Sequence, residues 1–382
     1  MTRYDVAVVG AGPAGASCAL FLAGRNLNVL LVERERLPRK KPCGGAVPRA
    51  TVEAYPFIDS IKKAFIGLSR VGYSFRNTRH CERSTGAVEV YSVERREFDY
   101  HLACEAVKRG ARLVEGEAVV CVRENEGTVL IETAGGRVYT ARYAALASGA
   151  FSLPAHLCFP LSHRKESLGM ASVADLFPLE RKLLDSYQGK VHIDFAFLRN
   201  GYGGIIPKHD RLLLCLYTRS AASRALLYRK TREFMDNLSL QGTLKDFSVT
   251  PLQVYGGRRS LARGNILLLG DAASLADPLS GEGIKHALKS GEIAAAVLSD
   301  LLEGRGSSGD YSRRIHNELG RELLIAGTFV KVAYSFPAIT YGGLVNVSSE
   351  AGAVLNGTIS YGDLLDRLKG RILKRLWRGR PG

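Results

Sequence analysis

Long apolar runs are missing from this sequence of 382 residues. Nothing in it approaches the ~18–20 uninterrupted apolar residues that a membrane-spanning helix needs. Cysteine pairing is missing as well. The seven cysteines, at 18, 43, 81, 104, 121, 158 and 215, are odd in number and include no Cys-x-x-Cys. That argues against a disulfide framework or a zinc ribbon and fits a reducing compartment. Tryptophan is reduced to Trp377 alone. No internal repeat or low-complexity linker interrupts the chain. No charged leader with an apolar plug precedes Arg3, so the expectation is a cytoplasmic protein without a signal peptide. Apolar residues still make up 46 % of the chain, enough to bury a sizeable core.

Acidic residues are the scarcer charge, 37 Asp and Glu against 53 Lys and Arg, for a formal net charge of +16. Such an excess fits nucleic acid, anionic lipid, or a polyanionic cofactor or substrate. No nucleic-acid module is legible and the basic residues are dispersed, so nucleic acid is not an expected partner. The C-terminus is more concentrated, with Arg367, Lys369, Arg371, Lys374, Arg375, Arg378 and Arg380 against Asp363 and Asp366. On a helical wheel Tyr361, Leu364, Leu365, Leu368, Ile372 and Leu376 share about a third of a turn. This basic helix either lies on an anionic membrane face, making the protein peripheral there, or packs on the rest of the fold.

The first fifty residues carry the clearest signal. Tyr4 to Val9 is an apolar run of strand length that feeds Gly10-Ala11-Gly12-Pro13-Ala14-Gly15. A helical pattern of small and apolar residues follows, then a second apolar run, Val29 to Val32, closed by Glu33. Gly10 permits a tight turn, Gly12 lets the backbone approach a pyrophosphate, and Gly15 lets helix and strand pack closely. The helix N-terminus offers its free N–H groups to phosphate, and Glu33 would accept ribose hydroxyls. Strand, turn, helix, strand and acid in this order form a dinucleotide-binding fingerprint. The fingerprint does not separate FAD from NAD; its N-terminal place and a second, distant motif favour FAD. Arg34 either stacks on the adenine or is a solvated charge.

The second motif begins at Asn265-Ile266-Leu267-Leu268-Leu269-Gly270-Asp271, an apolar strand ending on an acid. Ala276-Asp277-Pro278-Leu279-Ser280-Gly281-Glu282-Gly283 then opens a helix with Ile284, Leu288, Gly291, Ala295 and Leu298 at helical spacing. Asp271 would accept a hydrogen bond from a ribityl chain. The helix start at Gly281, Gly283 and Ile284 would face the edge of a flavin where negative charge develops on reduction. Between the two motifs, Arg39-Lys40-Lys41-Pro42-Cys43-Gly44-Gly45-Ala46 reads as a loop passing close to something flat. A helix is expected from about Arg95 through Phe98 and Leu102 to an end at Gly110. Strands are expected near 112–115, 118–122, 129–132, 191–197, 205–207 and 212–217.

Together these residues resemble the geranylgeranyl reductase family of the para-hydroxybenzoate hydroxylase-like, group-2 glutathione-reductase-like flavoproteins. The resemblance spans about residues 3 to 300. It rests on Gly10-x-Gly12-x-x-Gly15 with Glu33, on Lys41-Pro42-Cys43-Gly44-Gly45, on Arg95-x-x-Phe98-Asp99, and on Gly270-Asp271 through Gly283-Ile284. It implies an α/β fold: a Rossmann-type FAD-binding domain from residues 1–75, 92–160 and 255–300, an inserted antiparallel β-sheet substrate domain from 76–91 and 161–254, and a C-terminal helical region over 301–382.

For the cofactor, the resemblance implies contacts from Gly10, Gly12, Pro13, Ala14, Gly15, Glu33, Arg34, Cys43, Gly44, Ala46, Arg95, Val119, Gly270, Asp271, Gly281, Gly283 and Ile284. Cys43 would lie beside the isoalloxazine ring, serving either chemistry or packing. Tyr202, Gly204, Ile206 and Pro207 would line the substrate site, with Cys43 and Tyr202 as catalytic candidates. Two departures stand out. Ser148, in Ala147-Ser148-Gly149, occupies the place of an expected aspartate. Gly204 and Ile206 stand where prenyl reductases show Trp and Phe, which reshapes the apolar pocket. The implied activity is FAD-dependent saturation of C=C bonds in a polyprenyl lipid or prenyl quinone, with NAD(P)H or a ferredoxin-like protein as electron donor. A flavin monooxygenase and a non-catalytic membrane-associated flavoprotein are the alternatives. The related halogenases use a Trp-x-Trp pair, which this chain lacks.

Overall fold

The structure, a computed structural model, describes residues 3–84, 86–150, 155, 158–159, 167–346, 353–354, 356–367 and 369. The first apolar run becomes the strand Arg3–Val9, and five of its seven positions are buried. It lies centrally in a sheet, parallel both to Val138–Leu146 and to Val29–Glu33. The sheet continues outward through Arg112–Glu115 on one side and Ile266–Leu268 with Ala262–Arg263 on the other. Val119–Asn125 and Thr128–Thr133 add an antiparallel hairpin, completing eight strands among the described residues. Parallel strands buried on both faces need apolar side chains in both directions, which is why these runs do not alternate.

Two helices cover this sheet and pack on each other, Pro13–Ala23 and Ile284–Leu302. Their close approach depends on Gly291, where a Cβ would sit 2.4 Å from the Ala14 carbonyl oxygen and 2.8 Å from the Cys18 nitrogen. The helix Arg95–Lys108 packs beside the first of them.

The second sheet has seven strands, in the order 242–253, 168–178, 212–218, 201–207, 190–195, 70–75 and 78–84. All neighbours are antiparallel except Lys190–Phe195 with Arg70–Phe75. That parallel pairing corrects the expected boundary at residue 75. The strand Arg70–Phe75 belongs to the second sheet, because its apolar residues Val71 and Tyr73 complete a cluster with Val191, Ile193 and Phe195. The two longest strands, Leu168–Pro178 and Gly242–Gln253, are not among the expected ones; the latter is an edge strand whose polar residues hide its periodicity. A small sheet of 46–48, 90–92 and 66–68 ties the two large ones together.

Helices beyond residue 300 occur as expected: Gly309–Ile315, Arg321–Ser335 and Pro337–Asn346. Of the expected C-terminal basic helix, everything after Lys369 lies outside the described residues. Its first member turns inward rather than toward lipid. The Tyr361 ring sits 5.9 Å from Phe329, and its hydroxyl reaches the Asp277 carboxylate in the second motif.

Candidate active site

The glycine turn is shaped by three different constraints. Gly10 has φ +101°, and a Cβ there would meet the Ala147 carbonyl oxygen at 2.5 Å. At Gly15 a Cβ would be 1.9 Å from the Gly10 oxygen, so this glycine serves the helix–strand contact. Gly12 differs: the nearest atom to its missing Cβ is Arg39 Nη2, 3.8 Å away. The protein therefore leaves open the one face that a pyrophosphate would fill. Pro13 and Ala14 follow as buried first-turn residues of the helix, Pro13 at a position where its missing N–H costs nothing.

Beneath this turn lies a buried charge network. Glu33 is 4 % exposed and accepts the Ala11 N–H at 2.8 Å and the Glu35 N–H at 3.2 Å. Arg39 bridges two acids, its Nε 3.4 Å from Glu33 and its Nη1 3.1 Å from Asp99. Asp99 is fully buried and also takes a bidentate pair from Arg95, at 2.9 and 2.8 Å. Burial opposes the Arg95 charge, but Asp99 and the Cys43 sulfur outweigh it and hold the guanidinium protonated. Arg39 and Asp99 were absent from the expected site. Arg39 carries no distinguishing signal in its run of three basic residues; only its two buried acid partners single it out. Arg34, by contrast, points to solvent, 71 % exposed and paired with Glu35 at 3.3 Å. Val119 is half-buried at the start of its strand and packs on the core of the larger sheet.

The second motif converges on the first. Gly270, at φ +56°, would carry a Cβ 2.9 Å from that of Ala14, and its N–H donates to Ser290 Oγ at 3.0 Å. Asp271 Oδ1 sits 3.3 Å from where a Cβ of Gly283 would be. The loop between them is an Asx-type turn, with Asp277 Oδ1 accepting the N–H groups of Leu279 and Ser280 at 2.7 and 2.9 Å. Gly281 closes it at φ +69°, against the Tyr217 ring. At the helix start, Glu282 takes the Lys285 N–H at 2.7 Å and lies 3.2 Å from His286 Nδ1, close enough to pair but not aligned as a hydrogen bond. Burial works against both charges; their pairing prevails, lowering Glu282 and raising His286.

Between these elements lies the Cys43–Ala46 loop. The Gly45 N–H points at Cys43 Sγ, 3.4 Å away, and Gly44 leaves room for Ile206 Cδ1, which a Cβ would approach to 2.9 Å. Gly45, at φ +66°, rests on the Val93 carbonyl. The loop is held from below by Lys208, only 4 % exposed, whose Nζ donates to Gly44 O at 3.1 Å, Ser92 Oγ at 3.1 Å and Val93 O at 2.8 Å. Lys208 is another residue the sequence did not reveal, since a single lysine after a strand reads as solvated.

A cavity of about 1330 Å³ opens from this loop. Cys43 to Ala46 and Gly281 to Ile284 form one end, and the seven-stranded sheet and the C-terminal helices form the walls. Tyr202 lines it, but its hydroxyl donates to Ser280 O at 2.6 Å, and burial pushes its ionisation well above the ordinary tyrosine range. Tyr217 and Tyr334 do the same toward Pro278 O and Leu279 O, at 3.1 and 3.2 Å. The hydroxyls are thus consumed by the main chain and the rings face the cavity. Gly204 and Ile206 also line it. The space a side chain at 204 would use is taken by Cys215 Sγ, 2.9 Å from a Cβ there. Pro207 is a correction: it lies outside the cavity lining, buried, with its carbonyl accepting the Ser92 hydroxyl at 2.9 Å.

The open face of Gly12, the buried acid and arginine beside it, and Asp271 at a strand end fit an FAD molecule lying across both motifs. Comparison with known proteins agrees. A family profile described as an FAD binding domain matches residues 3–312. A digeranylgeranylglycerophospholipid reductase of Methanocaldococcus jannaschii is 29 % identical, with 78 % of each chain covered. A menaquinone reductase of Mycobacterium tuberculosis is also 29 % identical, over 84 % of this chain and 82 % of the other. Among solved structures, a geranylgeranyl bacteriochlorophyll reductase-like protein from Thermoplasma acidophilum superposes with a TM-score of 0.82 at 20 % identity, covering 97 % of this chain and 99 % of that one. At that identity the likeness establishes the fold.

Proposed function

The chain belongs to the FAD binding domain family, as an FAD-dependent oxidoreductase, and from that premise we propose that it saturates C=C bonds of a polyprenyl chain carried by a lipid or a quinone. The observation that carries this reading is the cavity of about 1330 Å³. Ordinary small-molecule pockets span about 300–1,000 Å³, so this one has space for a flavin ring together with a long apolar substrate. Its polar groups support the same conclusion, since Tyr202, Tyr217 and Tyr334 direct their hydroxyls to backbone carbonyls and offer the substrate hydrocarbon rings. The similar proteins named as reductases of a digeranylgeranyl lipid and of menaquinone point to the same substrate class.

FAD, when bound, supplies hydride-transfer chemistry that no side chain has. The chain's own residues then have distinct tasks. Gly12 and Arg39 would receive the pyrophosphate, Glu33 the ribose, and Asp271 the ribityl chain. Cys43, Ala46, Gly283 and Ile284, which line one end of the cavity, would hold the ring. An alkene that accepts hydride must also receive a proton. The Tyr202 hydroxyl is committed to Ser280 O, which leaves His286, in its pair with Glu282, as the group on the cavity wall that would supply one. The electron donor is NAD(P)H or a ferredoxin-like protein. Stopped-flow reduction of the bound flavin by each in turn separates them.

The test is anaerobic. Dithionite-reduced holoenzyme should recover its oxidised flavin absorbance when a polyprenyl lipid or prenyl quinone is added, and mass spectrometry should find two hydrogens gained in the side chain. Oxygen insertion into such a compound by the aerobic enzyme, with no anaerobic re-oxidation, would overturn the reading in favour of a monooxygenase.

A further inference from the structure

From Leu323 to Ser349 the sequence runs through 27 positions with a single charged residue, Lys331. Much of this stretch forms the helices Arg321–Ser335 and Pro337–Asn346, and they are not fully buried. Leu324 is 47 % exposed, Val332 54 %, Phe336 57 % and Ile339 72 %. On the first helix Arg321, Leu324, Thr328, Lys331, Val332 and Ser335 fall within about a third of a turn, so the exposed apolar groups share one face. The second helix turns off after Phe336, where Pro337 interrupts the backbone bonding, and extends that face through Ile339.

This face is continuous with the site. Val332, Pro337, Ile339 and Thr340 also line the large cavity, so its wall runs into the exposed apolar surface. Basic charges predominate around it, with Glu322 half-buried and Asp363 exposed among them. Arg321 and Lys331 stand on the face itself, and Arg76 and Arg199 are exposed at the cavity rim. Arg79 lies beside them, its carbonyl accepting the Tyr341 hydroxyl from the second helix. The acids nearest the face are occupied: Glu322 takes the Tyr361 N–H at 2.7 Å, and Asp363 takes the Ser360 N–H and hydroxyl at 2.9 and 2.8 Å.

We propose that the 321–342 helix pair is a membrane-docking face that seats on an anionic bilayer and places the cavity mouth against the acyl region. An apolar face of this kind with flanking cations inserts shallowly while basic groups meet the headgroups, which matches the arrangement here. No helix among the described residues is long and apolar enough to cross the bilayer. The docking deepens the proposed function by supplying a route for a polyprenyl substrate that never leaves the lipid phase.

The test uses full-length holoenzyme and the double variant Leu324→Asp/Phe336→Asp, two exposed residues outside the cavity lining. Flotation is measured with vesicles of phosphatidylcholine containing one part in three of phosphatidylglycerol, and with phosphatidylcholine alone. The parent should partition onto the anionic vesicles, less so at high salt. The variant should lose at least about tenfold in partition while keeping its flavin absorbance. Lys331→Glu should weaken binding to the anionic vesicles alone. Turnover on detergent-dispersed substrate should be the same in parent and variant, so loss of flotation and failure of the reductase reading are separate results. Equal flotation of parent and variant overturns the proposal. So does a parental dimer that the variant converts to monomer with flotation unchanged, which would assign the face to a second copy of the chain.

Discussion

Lys208 permits a prediction whose size follows from the structure. Burial pushes its ammonium down to about 8 from an ordinary 10.5. Below pH 8 folded and unfolded chains both carry the proton, and the folded state bears the whole cost of the buried charge. Between pH 8 and 10.5 the folded lysine releases its proton while the unfolded one keeps it. The unfolded state then binds more protons, so the stability of the parent should rise with pH. At ~1.4 kcal/mol per pKa unit, the gain between pH 7 and pH 10 is about 2–3 kcal/mol. Other groups titrate in this range too, so the quantity to measure is the difference between parent and Lys208→Met. Urea unfolding of both proteins, saturated with FAD, at pH 7, 8, 9 and 10 supplies it. At neutral pH the variant escapes the buried charge but strands the acceptors Gly44 O, Ser92 Oγ and Val93 O. Each stranded group costs about 1–3 kcal/mol, which together matches or exceeds the relief, so the variant starts no more stable than the parent and the pH trend is the decisive signal. A difference that stays flat from pH 7 to 10 would refute the argument that burial under the loop depresses this lysine.

Gly12→Val should fold but purify colourless, because its Cβ meets only Arg39 Nη2 at 3.8 Å yet fills the pyrophosphate face; visible absorbance of the purified protein reads this directly. Gly15→Ala should instead lose about 2–3 kcal/mol or more in urea unfolding, since its Cβ would press on the Gly10 oxygen. Arg39→Met should weaken FAD binding by about 10–100-fold, measured by flavin fluorescence titration, while Asp99 keeps its pair with Arg95. Cys43→Ala should retain FAD and slow re-oxidation of the reduced enzyme by a prenyl substrate; an unchanged rate would reduce Cys43 to packing.

The local chemistry of this protein was legible because it depends on short-range order. A turn that must be tight, a backbone that must approach phosphate and an acid that must close a strand fall within about thirty residues of one another, so Gly10, Gly12, Gly15 and Glu33 announce themselves. The second motif reads for the same reason, with Gly270-Asp271 and the helix start at Gly283 only a dozen residues apart. The sequence by itself therefore determined the cofactor class and which strands and helices carry the two motifs. Tertiary structure alone decided what surrounds them. Arg39 is one of three consecutive basic residues until Glu33 and Asp99 close around it from separate elements, and Lys208 is an unremarked lysine until the Cys43–Ala46 loop covers it. Strand Arg70–Phe75 goes to the second sheet because Val191, Ile193 and Phe195 offer it an apolar partner more than a hundred residues away. Pro207 leaves the substrate set because strand register turns its carbonyl toward Ser92. Burial, register and ion pairing across distant segments are properties of the assembled chain, and no local spacing encodes them.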